Sequence, residues 1–387
     1  VPIAPTTQLF PAVVDASTLG QKLTAPIYLP IGIEGQMDNA GDATVGVLYS
    51  IVRTDQAVTR FGSAARLTTL ITALLARGAG PIIAVASKKG SAPSLSERQA
   101  AWALLESDPT VRIRLTDSTT QADLAGLAAS CANANLINHK QLCVVGMASG
   151  TSKAALITAA AAVAAGGAKE GATRSVFVGP GVYDDLGTLQ DGGWAAAIVA
   201  SEIAKNGDPS NDLDLLVLSP LPAIEKDAAG MPIFREKVVS GVAVNDFEDL
   251  LQAGVSPLMT PPVQGGSGVS ISHLRTVYIT DTTHDALMTR IIEDQVFIDV
   301  RNYIYNAGFL HQGNTPETRK RVQSGVDAVL HERIAWISPL LQPDGSLGYG
   351  VDVTSSVDER QLTVNYVGKI VRGIQTVQVT GNLQITV

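Results

Sequence analysis

A chain of 387 residues is longer than one hydrophobic core usually spans, so two packed units are expected. Hydrophobic residues make up 45% and charged residues 17%, which fits a folded protein with large areas removed from water, some of them between molecules. The formal net charge of -8 argues against a general nucleic-acid binder, since phosphate neutralisation needs clustered Lys and Arg, and leaves room only for a local basic patch.

Residues 1–21 carry three prolines and a single charge, Asp15, yet hold the apolar residues Leu9, Phe10, Val13 and Val14, which is less polar than a solvated tail. The start Val-Pro-Ile-Ala-Pro lacks the basic beginning and apolar run of a secretory signal, and simple loss of an initiator Met would explain the leading Val1. Two apolar runs, Ile27 to Ile33 and Val45 to Val52, predict strands. The Thr54-Asp55 pair is an N-cap signal, and a helical pattern runs from Ala65 to Arg77. Gly78 and Gly80 stop it before an apolar strand, Pro81 to Ala86.

From Ser94 to Pro222 helix and strand alternate. The spacing predicts helices over Ser94–Glu106, Gln121–Ala134, Lys153–Ala165 and Gly193–Lys205, with strands Val111–Leu115, Gln141–Gly146, Arg174–Val178 and Leu213–Leu218 between them. Continuous apolar strands such as Leu142-Cys143-Val144-Val145 between Ala-rich helices point to a mostly parallel sheet covered on both faces, a three-layer α/β unit. Ala154 to Gly167 is the most apolar stretch, but it is shorter than the ~20 residues that cross a bilayer and reads as a buried helix.

Phe247 to Leu258 reads as a short helix and turn. Pro261-Pro262 with Gly265, Gly266 and Gly268 then forms a loop, where we place the boundary between an α/β domain (22–260) and an α+β domain (261–372). Beyond it come strand Leu274–Thr280, a helix from His284 to Ala307 with Met288, Ile291, Ile292, Phe297, Val300 and Ile304 at helical spacing, and a helix from Pro316 to His331. The chain closes with strands Leu362–Tyr366, Ile374–Val379 and Leu383–Val387. No residue between Gly373 and Val387 is charged.

Chemical motifs are few. Gly146-Met147-Ala148-Ser149-Gly150-Thr151-Ser152-Lys153 is a glycine-containing turn between a strand and a helix, where backbone N–H groups would face an anion. A phosphate loop, however, needs four residues between its glycines and Lys followed by Ser or Thr, and here the order is reversed; Ser149 or Thr151 as a plain N-cap is the better account. Neither the G-x-S-x-G elbow nor a His-Glu-x-x-His pair occurs, and His139, His273, His284, His311 and His331 stand apart in sequence. Cys131 and Cys143 have no metal-ligand spacing and read as reduced, cytosolic and inert thiols. The expectation is a chain with no catalytic site, no cofactor and no metal. Arg319-Lys320-Arg321 is the compact basic cluster, read either as a solvated helix face or as a docking surface for an acidic protein.

The ends carry the most information. A charge-free strand with one apolar face invites pairing unless Lys, Pro or a bulge blunts it, and neither end strand at the carboxy terminus has that protection. Either these strands are covered within their own subunit or they complete a neighbour's sheet.

Four stretches in order resemble the sheath proteins of contractile phage tails and related contractile injection systems. Thr54-Asp55-Gln56-Ala57-Val58-Thr59-Arg60-Phe61-Gly62-Ser63 resembles that family's strand, short helix and Phe-Gly element, and Leu67 to Ala86 its next helix, turn and strand. Leu250-Leu251-Gln252-Ala253-Gly254-Val255 resembles its Leu-Asn, Gly-Ile-Asn turn, with Gln252 and Ser256 in place of the asparagines, and Arg275-Thr276 with Tyr278 its Arg-Thr strand. The resemblance implies a structural subunit that forms stacked six-fold rings around a tail tube and contracts without a nucleotide, an outer α/β domain and an inner, tube-facing α+β domain. It implies residence in a virion tail after assembly in the host cytoplasm, with tube, baseplate and tail terminator proteins as partners and no direct contact with nucleic acid or membrane. It further implies that an amino-terminal arm (1–21) and a carboxy-terminal arm (373–387) exchange strands between subunits. The arm residues would be Leu9, Phe10, Val13, Val14, Ile374, Val377, Val379, Leu383, Ile385 and Val387, received on Leu362, Val364 and Tyr366, while Arg319, Lys320 and Arg321 would face the tube. The alternatives are an α/β enzyme that binds a nucleotide or phosphorylated ligand and a structural tail protein that does not contract.

Overall fold

The computed structural model describes residues 29–206, 213–239, 242–261, 268–280, 286–309, 312, 314–332, 349–355 and 362–368. Both expected arms, 1–21 and 373–387, lie outside the described residues. Two compact units result, one within Val1–Asp208 and Leu215–Asp294, the other within Pro209–Asp214 and Gln295–Val387.

The first unit runs β1 (Ile31–Met37), β2 (Leu48–Ile51), α1 (Thr54–Phe61), α2 (Arg66–Ala76), β3 (Ile82–Lys89), α3 (Leu95–Ser107), β4 (Ile113–Thr116), α4 (Gln121–Leu136), β5 (Leu142–Gly146), α5 (Lys153–Ala172) and β6 (Ser175–Gly179). There follow the short strands β7 (Val182–Tyr183) and β8 (Leu189–Gln190), α6 (Gly192–Lys205), β9 (Ala223–Ile224), the hairpin β10 (Glu236–Val239) and β11 (Val242–Asn245), α7 (Asp246–Gln252), β12 (Val255–Met259) and β13 (Ser270–Ile271). The long helix α8 (Leu287–Asn306) contains the division between the units.

Eight strands form one sheet in the order β13-β12-β6-β5-β4-β1-β3-β2. Its six inner strands are parallel, and β2 and β13 are antiparallel at the two edges. Every residue of β4, β5 and β6 is buried, as continuous apolar strands between helical layers require. Helices α3, α4 and α5 pack side by side, while α2 packs on α6, so the sheet is covered twice. The core between α4, α5 and the sheet is built from Leu124, Leu127, Ala128, Leu156, Val163, Phe177 and Val255, where each large side chain contributes ~1.5–3 kcal/mol.

Local chemistry explains the helix ends. Ser94 Oγ accepts from the Glu97 N–H at 3.4 Å while the Glu97 carboxylate accepts from the Ser94 N–H at 2.7 Å, a reciprocal box that starts α3 and draws the Glu97 carboxyl down to about 2. Helix α5 continues seven residues past its expected end at Ala165. Its glycines act as a packing face: a Cβ on Gly166 would lie 2.7 Å from the Ala125 carbonyl oxygen of α4, so side chains are excluded where the two backbones meet. The left-handed turn at Ala168, φ 49°, breaks the helix within this contact.

Several elements differ from expectation. Thr54-Asp55 lies inside α1; Arg53 precedes it, and the Gln56 side chain accepts from the Val52 and Arg53 N–H groups. Leu213–Leu218 is not a strand. It makes an isolated bridge, Val217 to Ser270, and runs alongside β13 through Leu215 and Leu218. The parallel place beside β6 goes to β12, a strand hidden in the sequence by Pro257. Leu274–Thr280 likewise is not a strand; it makes an isolated bridge, Arg275 to Ala286, and the Val277 N–H donates to the Ser175 carbonyl of β6 at 2.9 Å. Strands β12 and β13 complete the sheet, and the first unit runs to Asp294.

In the second unit, α9 (Pro316–Glu332) carries a buried stripe, Thr318, Val322, Val326 and Leu330, at four-residue spacing. The strands β14 (Tyr349–Ser355) and β15 (Leu362–Gly368) form an antiparallel two-stranded sheet, and Gln323 of α9 donates to the Val351 carbonyl at 2.9 Å.

Candidate assembly surfaces

The expected receiving residues fall on β15, where Leu362 pairs with Ser355, Val364 with Val353 and Tyr366 with Val351. Alternation puts Val351, Val353, Val364 and Tyr366 on one face and Asp352, Thr354 and Asn365 on the other. The apolar four are half-buried, whereas Asp352, Thr354 and Asn365 are exposed. The pairing strand β14 has the same alternation, Val351 and Val353 against Asp352 and Thr354, and that signal was available in the sequence. Leu9, Phe10, Val13, Val14, Ile374, Val377, Val379, Leu383, Ile385 and Val387 lie outside the described residues.

The basic cluster sits on the first turns of α9. Lys320 and Arg321 are exposed and Arg319 is half-buried. Arg319 donates to Asn314 Oδ1 at 3.1 Å, and Arg321 donates to Gln312 Oε1 at 3.3 Å with its guanidinium 5.8 Å from the Phe309 ring centroid. These neutral partners fix the side chains without cancelling their charge.

Two places where α/β sheets commonly hold ligands are filled by the chain itself. The first is the glycine turn between β5 and α5. The Gly150 N–H of this turn and the Gly181 N–H after β6 both donate to the buried Glu225 side chain, which lies against the turn. Lys153, which would reach a terminal phosphate, instead donates to Asp246 Oδ1 at 2.8 Å and Asp249 Oδ2 at 2.5 Å, and these carboxylates hold its pKa above the ordinary lysine range. Ser152 caps α5 by accepting from the Ala155 N–H at 3.3 Å, in place of Ser149 or Thr151. Gly146 serves packing, since a Cβ there would lie 2.1 Å from the Gly192 carbonyl oxygen.

The second place is the switch point, where the sheet order reverses at the carboxyl ends of β1 and β4. Arg98 of α3 fills it, with Nη1 2.8 Å from Glu34 Oε1 and 2.6 Å from Asp117 Oδ1, and Nε 3.1 Å from Asp123 Oδ2. Trp102 Nε1, at 3.1 Å, and the Thr116 hydroxyl, at 2.7 Å, both contact Glu34 Oε2. Burial, followed by the Asp117 charge, pushes the Glu34 carboxyl up to about 7 against the pull of Arg98.

Cys131 and Cys143 are buried free thiols, with Cys143 Sγ 3.1 Å from Ser175 Oγ. His139 Nδ1 lies 2.7 Å from the Glu106 carbonyl oxygen, and His331 is exposed near the end of α9. His284 and His311 lie outside the described residues. Among the described residues no group of three or more His, Cys, Asp or Glu is placed to hold a metal ion, and no helix is long and apolar enough to cross a membrane.

No protein-family model matches the sequence, and no match to a curated protein is found. Solved structures do match. A chain in the baseplate of the anti-feeding prophage aligns with a TM-score of 0.68 at 12% identity, covering 93% of this chain and 94% of that one. A chain in the contracted helical sheath of the anti-feeding prophage aligns at 0.67 and 12% identity, covering 92% and 94%. A sheath tail protein from Listeria innocua aligns at 0.63 and 9% identity, covering 92% and 95%. At these identities the likeness is one of architecture, extending through both units, and the chain has the fold of the contractile tail sheath proteins.

Proposed function

We propose that this chain is a structural subunit of a contractile tail sheath, polymerising as stacked six-fold rings around a tail tube and contracting to drive that tube through a cell envelope. The observation that carries the reading is the near full-length likeness, above 90% of both chains, to proteins of an assembled sheath and baseplate. The Glu225 contacts at the β5–α5 turn and the Arg98 ion pairs at the switch point are compatible with it. Energy for contraction then resides in two packings of the same subunits.

Within this reading the first unit is the outer domain, the second unit the inner domain, and the exposed Lys320 and Arg321 with Arg319 the tube contact. The segments holding Leu9 to Val14 and Ile374 to Val387 add strands to neighbouring subunits beside β15. A two-stranded hairpin is marginal alone, and β14–β15 with its half-buried apolar face gains from a third strand at ~0.5–1.5 kcal/mol per backbone hydrogen bond. Tail tube, baseplate and terminator proteins are the partners, and the particle is a phage tail or a tail-derived injector assembled in the host cytoplasm.

Removal of residues 373–387 tests this. The truncated chain should remain folded by circular dichroism and fail to form tubular polymers under negative stain. Normal polymers from that chain would discard strand exchange. Full-length polymers whose subunit rise stays constant under mild denaturant would favour a structural tail protein that does not contract.

A further inference from the structure

The switch-point cluster holds more negative than positive charge. Around the Arg98 guanidinium stand Glu34 from β1, Asp117 after β4 and Asp123 from α4, all within 3.1 Å of it. The side chains of Glu34, Arg98 and Asp117 are 0%, 7% and 4% exposed, so water does little to screen them. The remaining groups that face Glu34 are neutral: the Ser87 hydroxyl from β3, the Thr116 hydroxyl from β4 and the Trp102 indole from α3. Lys88 of β3 is committed to Glu97 at 3.0 Å, at the partly exposed rim. Three carboxylates with one guanidinium leave two net negative charges if every group is ionised.

We propose that this cluster binds one proton in the folded protein, on Glu34, and that the first unit is thereby a proton-dependent clamp across β1, β4, α3 and α4. The hydrogen-bond pattern accommodates the proton. Trp102 and Arg98 can only donate to Glu34, but the Ser87 and Thr116 hydroxyls rotate, so either one accepts from the protonated carboxyl. The alternative, two buried excess charges, carries a desolvation cost that a single guanidinium does not offset.

The direction follows from linkage. Glu34 rises from 4.5 to about 7 on folding, so its contribution is fully present below the unfolded value and is lost as pH rises through 7. The full chain and its Glu34→Gln variant are unfolded in urea from pH 5 to 8, with tryptophan fluorescence as the readout. The ratio of their unfolding constants, wild type over variant, should rise on the order of a hundredfold across that range. A change of less than about threefold would overturn the proposal. Infrared difference spectra of the native wild type provide a second readout that does not depend on the variant folding. A protonated carboxyl band should disappear near neutrality, and Asp117→Asn should move that loss to lower pH. A band that never appears, or that Asp117→Asn leaves in place, also overturns it.

Discussion

Arg174 and Asp294 form the most deeply buried bidentate ion pair among the described residues, with side chains 1% and 5% exposed and Nη2 2.7 Å from Oδ1. Asp294→Ala would strand a guanidinium in the interior. Its nearest other carboxylate is Glu170, 3.8 Å from Nε and half exposed, which gives weak compensation. Breaking such a pair from one side costs about 3–5 kcal/mol, and with Glu170 nearby the lower figure, about 3 kcal/mol, is expected. That corresponds to roughly a hundredfold in the unfolding constant. Urea unfolding followed through Trp102 and Trp194, both in the first unit, measures it. The paired change Arg174→Met with Asp294→Leu should recover most of the loss, because removing both charges leaves nothing unsatisfied. A loss below 1 kcal/mol for Asp294→Ala, or a double variant as unstable as the single, would refute the reasoning.

Glu225→Ala leaves the Gly150 and Gly181 N–H groups without their acceptor and should cost about 2 kcal/mol in the same assay, whereas the wild type should show no thermal shift with ATP or inorganic phosphate. Gly146→Ala should cost about 3 kcal/mol, because the clash is with the Gly192 backbone, and calorimetry would expose the error if the variant melted like the wild type. Reversing Arg319, Lys320 and Arg321 to Glu should leave the melting temperature nearly unchanged while weakening loading on tail tubes in a cosedimentation assay; unaltered loading removes the tube assignment.

The alternation of helix and strand through the first unit was legible because each element carries its own signal: an apolar run for β5 and β6, and Ser94 with Glu97 three residues later for α3. Strand β12 was not, since Val-Ser-Pro-Leu-Met contains a proline and reads as a turn until its neighbours are known. The long-range polar sites were invisible for a different reason. Arg98 meets Glu34 across 64 residues and Glu225 meets Gly150 across 75, and a charged residue on a helix or in a loop looks solvent-bound when the sequence is read locally. Of the assembly surfaces, the basic cluster stood out by charge, and β15 was expected as a strand and given its receiving role by the family resemblance. The second strand, β14, carries the same alternation, Val351 and Val353 against Asp352 and Thr354, and became visible only through its pairing with β15.

The close approach of Gly146 to the Gly192 carbonyl has a mechanical consequence. With no side chain between them, the end of β5 and the start of α6 meet as backbone on backbone, a joint with no rotamers to rearrange. The Gly192 N–H also donates to the Met147 carbonyl at 2.7 Å, so the start of α6 cannot shift toward the sheet without displacing the β5 backbone itself.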